Sequence, residues 1–347
     1  MITIRDVAKC SGYSITTVSI VMNDAPLARY IPEGTKLRIR SVARELSYRP
    51  NVFARSLRSK RSHTVGVMVF DITDPFCTQT LRGIENALYS STYAPILTDI
   101  QNDRERFRRH LQMLLDRRVE GLIALANSLF LETSSLGALE QRGVPTVAIG
   151  RQLETNSISS VIVDNEAGAR TALAHLYELG HRKIAFLRGS KMLVDSEERW
   201  RGLSAFAGEV SLSIDPKLVV ELKKPAASSE QGRKATEELL RRGQPFTALM
   251  AFDDMTAFGA IRALQRPGLK VPEDCSVIGF DDVAAAAFYN PALTTIHQPM
   301  GTLGSMAVHI LLDAIQATLR KKTFTPAHKK ATPSLVVRES TAPLAST

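Results

Sequence analysis

The stretch Ser14–Asn23, "SITTVSIVMN", poses the question on which the fold turns. At 100° per residue, Val18, Val21 and Met22 fall on one side, while Ile15, Thr16, Ser19, Ile20 and Asn23 share the opposite arc. A short helix with core on one side ordinarily places polar groups on its free face. Here an isoleucine stands at each edge of that face, with small hydroxyl and amide side chains between.

The flanking residues supply the context. Thr3 stands three residues before Asp6, a capping-box spacing that starts a helix over "IRDVAKC". Gly12 ends it, and Ser14 caps a second helix through Asn23. Two short helices joined so tightly are the helix-turn-helix arrangement, whose second helix enters the DNA major groove. "DAPLARYIP" follows as a loop. Pro32 then starts a third helix, "PEGTKLRIRSVARELSY", with Leu37, Val42 and Leu46 on its apolar side and Gly34 weakening its first turn. Pro50 stops that helix, and Asn51 caps a short fourth segment, "VFARSLRSKR".

Charge points the same way. Residues 1–63 hold 12 Lys/Arg against 4 Asp/Glu, a formal +8, whereas the whole chain carries +9. A basic head on a nearly neutral body fits a polyanionic partner. The 347 residues, 44% hydrophobic and 23% charged, suffice for a sizeable core divided among two or three domains. There is no run of about 18 apolar residues, so no membrane span is expected. "MITIRDVAKC" has no apolar signal region. Cys10, Cys77 and Cys275 are scattered and odd in number. They argue against a disulfide framework or thiolate metal site and for a reducing cytoplasm.

"TIRDVAKCSGYSITTVSIVMN" followed by "ELSYRPNVFARSLRS" closely resembles the head and hinge of the lactose-repressor (LacI/GalR) family of bacterial transcription regulators. The resemblance continues to about Ser340. One departure is "DAPLARYIPEGT", a loop longer than the common pattern. The resemblance implies that Ile15, Thr16 and Ile20 face base edges, where isoleucine packs on the thymine methyl and excludes water. Thr17, Ser19 and Asn23 are placed to reach phosphates, with Ser14 at the helix start. In the hinge, capped by Asn51, Arg55 and Arg58 attract phosphate together with Lys60 and Arg61. By the same resemblance, Leu57 is the wedge that opens a minor-groove base step. So short a hinge helix is unstable alone in water and is expected to order only when docked.

From Thr64 the pattern changes to short β-branched runs alternating with amphipathic helices. "TVGVMVF", "YAPILTD", "VEGLIAL", "VPTVAIG", "SSVIVD", "KIAFLRG", "FTALMAF" and "CSVIGFD" read as buried strands. Such alternation implies parallel sheets covered on both faces, in two lobes divided near Val163. The expected fold is thus a small all-α helix-turn-helix head plus an α/β body of two doubly wound lobes of periplasmic-binding-protein type. The expected domains are 1–49 (head), 50–63 (hinge and linker), 64–163 with 295–323 (first lobe), 164–294 with 324–340 (second lobe) and 341–347 (tail). The resemblance places three crossovers near Val163, Thr295 and Phe324. It also places "GTLGSMAVHILLDAIQATL" in the first lobe, where the family makes its dimer contacts.

Ligands in such folds bind at the carboxyl ends of the strands, here between the lobes. The candidates are Asp71 and Phe76 in "DITDPF", Arg199 and Trp200 in "EERWRGL", Asp253 in "AFDDMTAFGA" and Asp281 in "GFDDV". Carboxylates and an arginine suit a polyhydroxylated, sugar-like effector, and Trp200 could stack on a sugar face. Asp254 is read as the cap of the following helix. Gly150 occupies a place where several relatives carry a sugar-holding acid, so one ligand contact is missing.

His181, after a helix-ending glycine, is expected to bind backbone carbonyls, and His297 matches a family crossover position. The seven histidines show no ligand spacing, and neither a Walker loop nor G-x-S-x-G occurs, so no metal, cofactor or enzyme activity is expected. A periplasmic sugar-binding protein would share the body but would need an export signal and lack the basic head. The expectation is a cytoplasmic, homodimeric, effector-controlled repressor of a double-stranded operator.

Overall fold

The computed structural model describes residues 2–48, 61–125, 139, 142–151, 157–225 and 228–344. The hinge expectations at Asn51, Arg55, Leu57 and Arg58, and most of the helix read over "SSLGALEQRG", lie outside the described residues. The chain forms two compact units, Met1–Ser62 and His63–Thr347.

The first unit holds helices α1 (Ile4–Ser11), α2 (Ile15–Met22) and α3 (Glu33–Glu45). The Asp6 carboxylate accepts the Thr3 N–H at 2.8 Å, and Gly12 ends α1 at φ 79°, a left-handed conformation that glycine adopts without strain. Ser14 caps α2 by accepting the Thr17 N–H at 3.1 Å. Val7, Ala8, Val18, Val21, Ile39 and Ala43 form the core. The expected apolar side of α3 is corrected in one place. Leu37 is 59% exposed, and the buried stripe runs Ile39, Ala43 with Val42 and Leu46 beside it. Those four share the i, i+3, i+4, i+7 face, from which Leu37 is turned away. The longer loop folds as a 3₁₀ turn, Pro26–Tyr30, and Asp24 before it pairs with Arg40 of α3 at 2.6 Å.

In the second unit, strands β1 (Thr64–Val69), β2 (Ala94–Asp99), β3 (Gly121–Leu125), β4 (Thr146–Ile149) and β5 (Ser159–Val163) are parallel. Their sheet is extended by β11 (His328–Ala331), in the order β11-β5-β4-β3-β1-β2. Helices α4 (Pro75–Tyr89) and α5 (Arg104–Asp116) follow β1 and β2.

The second sheet holds β6 (Ile184–Arg188), β7 (Val219–Glu221), β8 (Ala248–Met250) and β9 (Ser276–Ile278), ordered β7-β6-β8-β9 and again parallel. One face packs on α6 (Asn165–Glu178) and α7 (Val194–Glu209), the other on α8 (Ser229–Arg242) and α9 (Asp254–Gln265). Both sheets follow the 2-1-3-4 order of doubly wound folds. All eight runs read as strands form them.

Between the lobes, β10 (Thr295–His297) pairs antiparallel with β12 (Ser334–Val336). Helix α10 (Met300–Leu319) returns to the first lobe, where Leu303, Ala307, Val308, Leu311 and Ile315 join its core. It is long and apolar enough to cross a membrane by composition, yet these residues are buried in the lobe. A Cβ on Gly83 would lie 2.0 Å from the Gly301 carbonyl oxygen, so α4 and α10 touch backbone to backbone. The third crossover is corrected. Because β11 pairs with β5, the chain stays in the first lobe through Ala331 and crosses at Thr332–Pro333 rather than near Phe324.

Candidate functional site

On α2 the inward side is Val18 and Val21, with Met22 partly buried against the same core. Ile15 is 46% exposed, Ile20 is half-buried, and neither belongs to the head's core. Thr16 and Asn23 are exposed, while Thr17 and Ser19 are half-buried. Several polar groups hold the helix together: Ser14 caps it, and the Asn23 amide donates to the Ser19 carbonyl at 2.8 Å. The head therefore presents an apolar and hydroxylated face rather than a charged one, with its bases elsewhere on its surface. That face can discriminate bases by methyl contact, which charge cannot do.

The other site is a cavity at the carboxyl ends of the strands of both sheets. The segment after β1 contributes Phe70, Asp74 and Phe76; Gly150 follows β4; Val163 and Asn165 mark the end of β5. Across from them stand Leu193, Asp195 and Arg199 after β6, Phe252 and Asp253 after β8, Asp281 after β9 and Gln298 after β10.

Arg199, only 6% exposed, organises the cavity. Its Nε donates to Asn165 Oδ1 at 3.1 Å and its Nη1 to the Phe252 carbonyl at 2.6 Å. Its Nη2 stands 3.6 Å from Asp195 Oδ2 and 3.5 Å from Asp281 Oδ1. The guanidinium lies 3.7 Å from the Phe280 ring centroid and 4.6 Å from that of Phe252. Held between two rings, it has one orientation. Asp281 also accepts from Gln298 Nε2 at 2.5 Å. Its backbone, at φ 120°, is strained for a residue with a Cβ.

Burial raises the acids. Asp281 is pushed well above the ordinary carboxylate range despite Arg199, and Asp253 is raised for the same reason. Asp74 is raised to about 7 by burial, aided by Asp253, Asp71 and Asp195, and opposed by the Phe76 N–H it accepts.

Of the effector candidates, Phe76, Arg199, Asp253 and Asp281 line this cavity; Asp71 and Trp200 do not. Asp71 turns back on its own loop, accepting from the Thr73 N–H at 2.8 Å and hydroxyl at 2.6 Å. Trp200 follows Arg199 on the helix and so points elsewhere: it packs edge-on against Phe186 at 5.9 Å, with Arg188 over its ring. The capping roles of the paired aspartates are also reversed. Asp253 caps α9 through the Thr256 N–H at 2.6 Å, whereas buried Asp254 accepts from the Thr295 hydroxyl and the Val283 N–H.

Asp74, Asn165, Asp195 and Gln298 were not foreseen. Asp74 and Asn165 lie in the segments that follow the legible strands β1 and β5, so the strand-end rule could have found them; Asp195 lies inside α7 and Gln298 follows β10, a strand without a sequence signal. Arg338 and His297 meet Asp282 at 2.6 and 2.9 Å, fastening the crossover beside the cavity.

A helix-turn-helix head ahead of a two-lobed body with a polar cavity between its lobes defines a ligand-responsive DNA-binding regulator. Residues 3–51 match the family described as bacterial regulatory proteins, lacI family, and residues 173–341 match the periplasmic binding protein-like domain. The HTH-type transcriptional repressor PurR of Aliivibrio fischeri strain MJ11 is 35% identical over 91% of this chain and 92% of its own length. The PurR repressor of Haemophilus influenzae strain PittEE is 36% identical over 91% of each chain. The lac repressor dimer bound to operator and the anti-inducer ONPF superposes with a TM-score of 0.87 at 28% identity, covering 98% of this chain and 99% of that one.

The chain belongs to the lacI family of bacterial regulatory proteins. It is a ligand-responsive, DNA-binding transcriptional repressor and not an enzyme.

Proposed function

We propose that this repressor works in the cytoplasm as a homodimer on a pseudo-palindromic operator. Helix α2 enters each major-groove half-site, with Ile15, Thr16 and Ile20 on base edges and Ser14, Thr17, Ser19 and Asn23 toward phosphates. The segment containing Asn51, Arg55, Leu57 and Arg58 docks at the operator centre, Leu57 in the minor groove. A small polar effector binds between the lobes, held by Phe76, Arg199, Asp253 and Asp281. Its binding changes the DNA affinity through the lobes, as linkage between two sites requires.

The observation that carries the reading is the free face of α2, whose isoleucines stand outside the head's core. A neighbour described as the regulator CelR in complex with cellobiose has a TM-score of 0.73 at 28% identity, which supports a small hydroxylated ligand. Sequencing of DNA fragments selected by the purified chain tests the reading. Recovery of one two-fold symmetric sequence is the expected result, and recovery of no sequence preference refutes it. Arg199→Ala and Asp281→Ala weaken the effector response in calorimetry while the operator sequence selected stays the same.

A further inference from the structure

We propose that the effector is a cation: a small hydroxylated amine, with an amino sugar as the fitting class, whose ammonium group sits among Asp74, Asp195 and Asp253. The inference rests on the effector reading of the interlobe cavity and adds the charge of its occupant.

Four carboxylates, Asp74, Asp195, Asp253 and Asp281, line one cavity with a single guanidinium. Asp195, Asp253 and Asp281 come from the second lobe and Asp74 from the first, so the acids face the ligand space from both sides. Arg199 lies within ion-pair distance of Asp195 and Asp281 only. The remaining pair, Asp74 and Asp253, are helix caps bonded to the Phe76 and Thr256 N–H groups. One arginine leaves a cavity with a formal excess of three negative charges.

Among the residues that line the cavity, no second basic group offsets it. Around it, Arg188 is engaged by Glu197 at 2.7 Å and Lys330 by Asp164 at 2.7 Å. Arg151, with its Nη1 buried and unpartnered, follows Gly150, and Lys223 and Lys224 precede Pro225 of the lining; none of these lines the cavity itself. Nearby acids add to the excess: Asp71, Asp254 and Glu198, the last bonded to Asn165.

So many carboxylates out of water either hold protons or hold a cation. A cationic ligand resolves the excess, displacing protons as it binds. A phosphorylated or carboxylated ligand is repelled by the same field, and a neutral sugar leaves the excess in place. Because the ligand favours the ionised carboxylates, its affinity rises with pH up to the range in which the empty cavity has lost its protons. That range extends to about 7 at Asp74.

The test is calorimetry of the full-length chain with matched probes: glucose, galactose and mannose, their 2-amino counterparts and their 6-phosphates, together with putrescine. Each is titrated at pH 5.5 and 6.5 in two buffers of different ionisation enthalpy. The expected result is an amine that binds at least about tenfold more tightly than its neutral counterpart, the order of one added ion pair. Protons are released on binding, and affinity is higher at pH 6.5, where the amine is still protonated. Asp253→Asn and, separately, Asp74→Asn reduce the amine-to-neutral ratio toward one.

A neutral sugar or a phosphate that binds more tightly than its amine counterpart overturns the proposal, as does the absence of binding by every amine. Operator selection on the same preparation scores the regulator separately. A chain that selects an operator yet prefers neutral sugars loses only this inference, while one that selects no DNA loses the proposed function and leaves the calorimetry standing.

Discussion

Ile20 and Asp74 illustrate how much a single side chain decides. Ile20 lies outside the head's core, so its truncation removes little packing and mainly strips an apolar contact from the DNA-facing arc. Ile20→Ala should relax the preference for thymine at one symmetric pair of operator positions. A mismatch at a read position costs about 1–3 kcal/mol, and that penalty should shrink there alone. Selection of operators by the variant measures it. An unchanged preference with a lowered melting temperature of the head would instead make Ile20 a core residue.

Asp74 behaves differently, because burial holds its carboxyl near 7 when the unfolded chain has it near 3.8. The folded chain then binds the proton that the unfolded chain has lost. Stability from this group is complete below about 4 and lost as pH rises through about 7. Asp74→Asn keeps an acceptor for the Phe76 N–H and removes the charge. Its unfolding free energy relative to the parent, measured by urea denaturation, should therefore climb between pH 5 and 8, by an amount on the order of a few kcal/mol. A flat difference across that range would show that Asp74 is ionised in the folded chain.

Among the elements, the C-terminal segment departs most from its reading as a tail. It continues from Ser340, read as the last residue of the second lobe, which is fully buried, donating to the Val277 carbonyl at 2.6 Å and accepting the Thr294 N–H at 2.8 Å. His181, expected to bind carbonyls, takes the Ala342 carbonyl at 3.1 Å but also faces the Thr247 and Ser276 hydroxyls. Thr341–Leu344 is thereby pinned to the second lobe, with the Leu344 N–H on the Leu179 carbonyl. Ser340→Ala leaves a buried N–H and a buried carbonyl without their partner, and should cost roughly 2 kcal/mol or more in urea unfolding.

Gly83→Ala should be at least as damaging, because the methyl meets backbone, which cannot step aside as a side chain can. The eight strands read from the sequence were legible because each lies in an apolar run of about seven residues. The short β7, β10 and β12 and the hydrophilic β11, "HKKA", carry no such signal, which is why the third crossover was misplaced. In the cavity, the acids beside family-like motifs were legible. Asp195, Asn165 and Gln298 were not, since their convergence depends on three separate strand ends.

For the whole molecule, charge and linkage are divided between the two units. The first 63 residues carry a formal +8 of the chain's +9, so non-specific DNA attraction belongs almost wholly to the head and hinge. Neutralising several phosphates releases counterions, and a dimer making about 6–10 such contacts loses roughly 10³–10⁵ in affinity between about 50 and 200 mM salt. Among the described residues, the body has its own core clusters in both lobes and the head has one of its own. Deleting residues 1–60 should therefore leave a folded dimer with the effector affinity of the full chain and no salt-dependent DNA binding. Sedimentation, calorimetry and a salt titration of operator binding check the three parts independently. Retained operator affinity in the truncated chain would move DNA recognition out of the head, and a lost effector response would mean that the cavity needs the head to form.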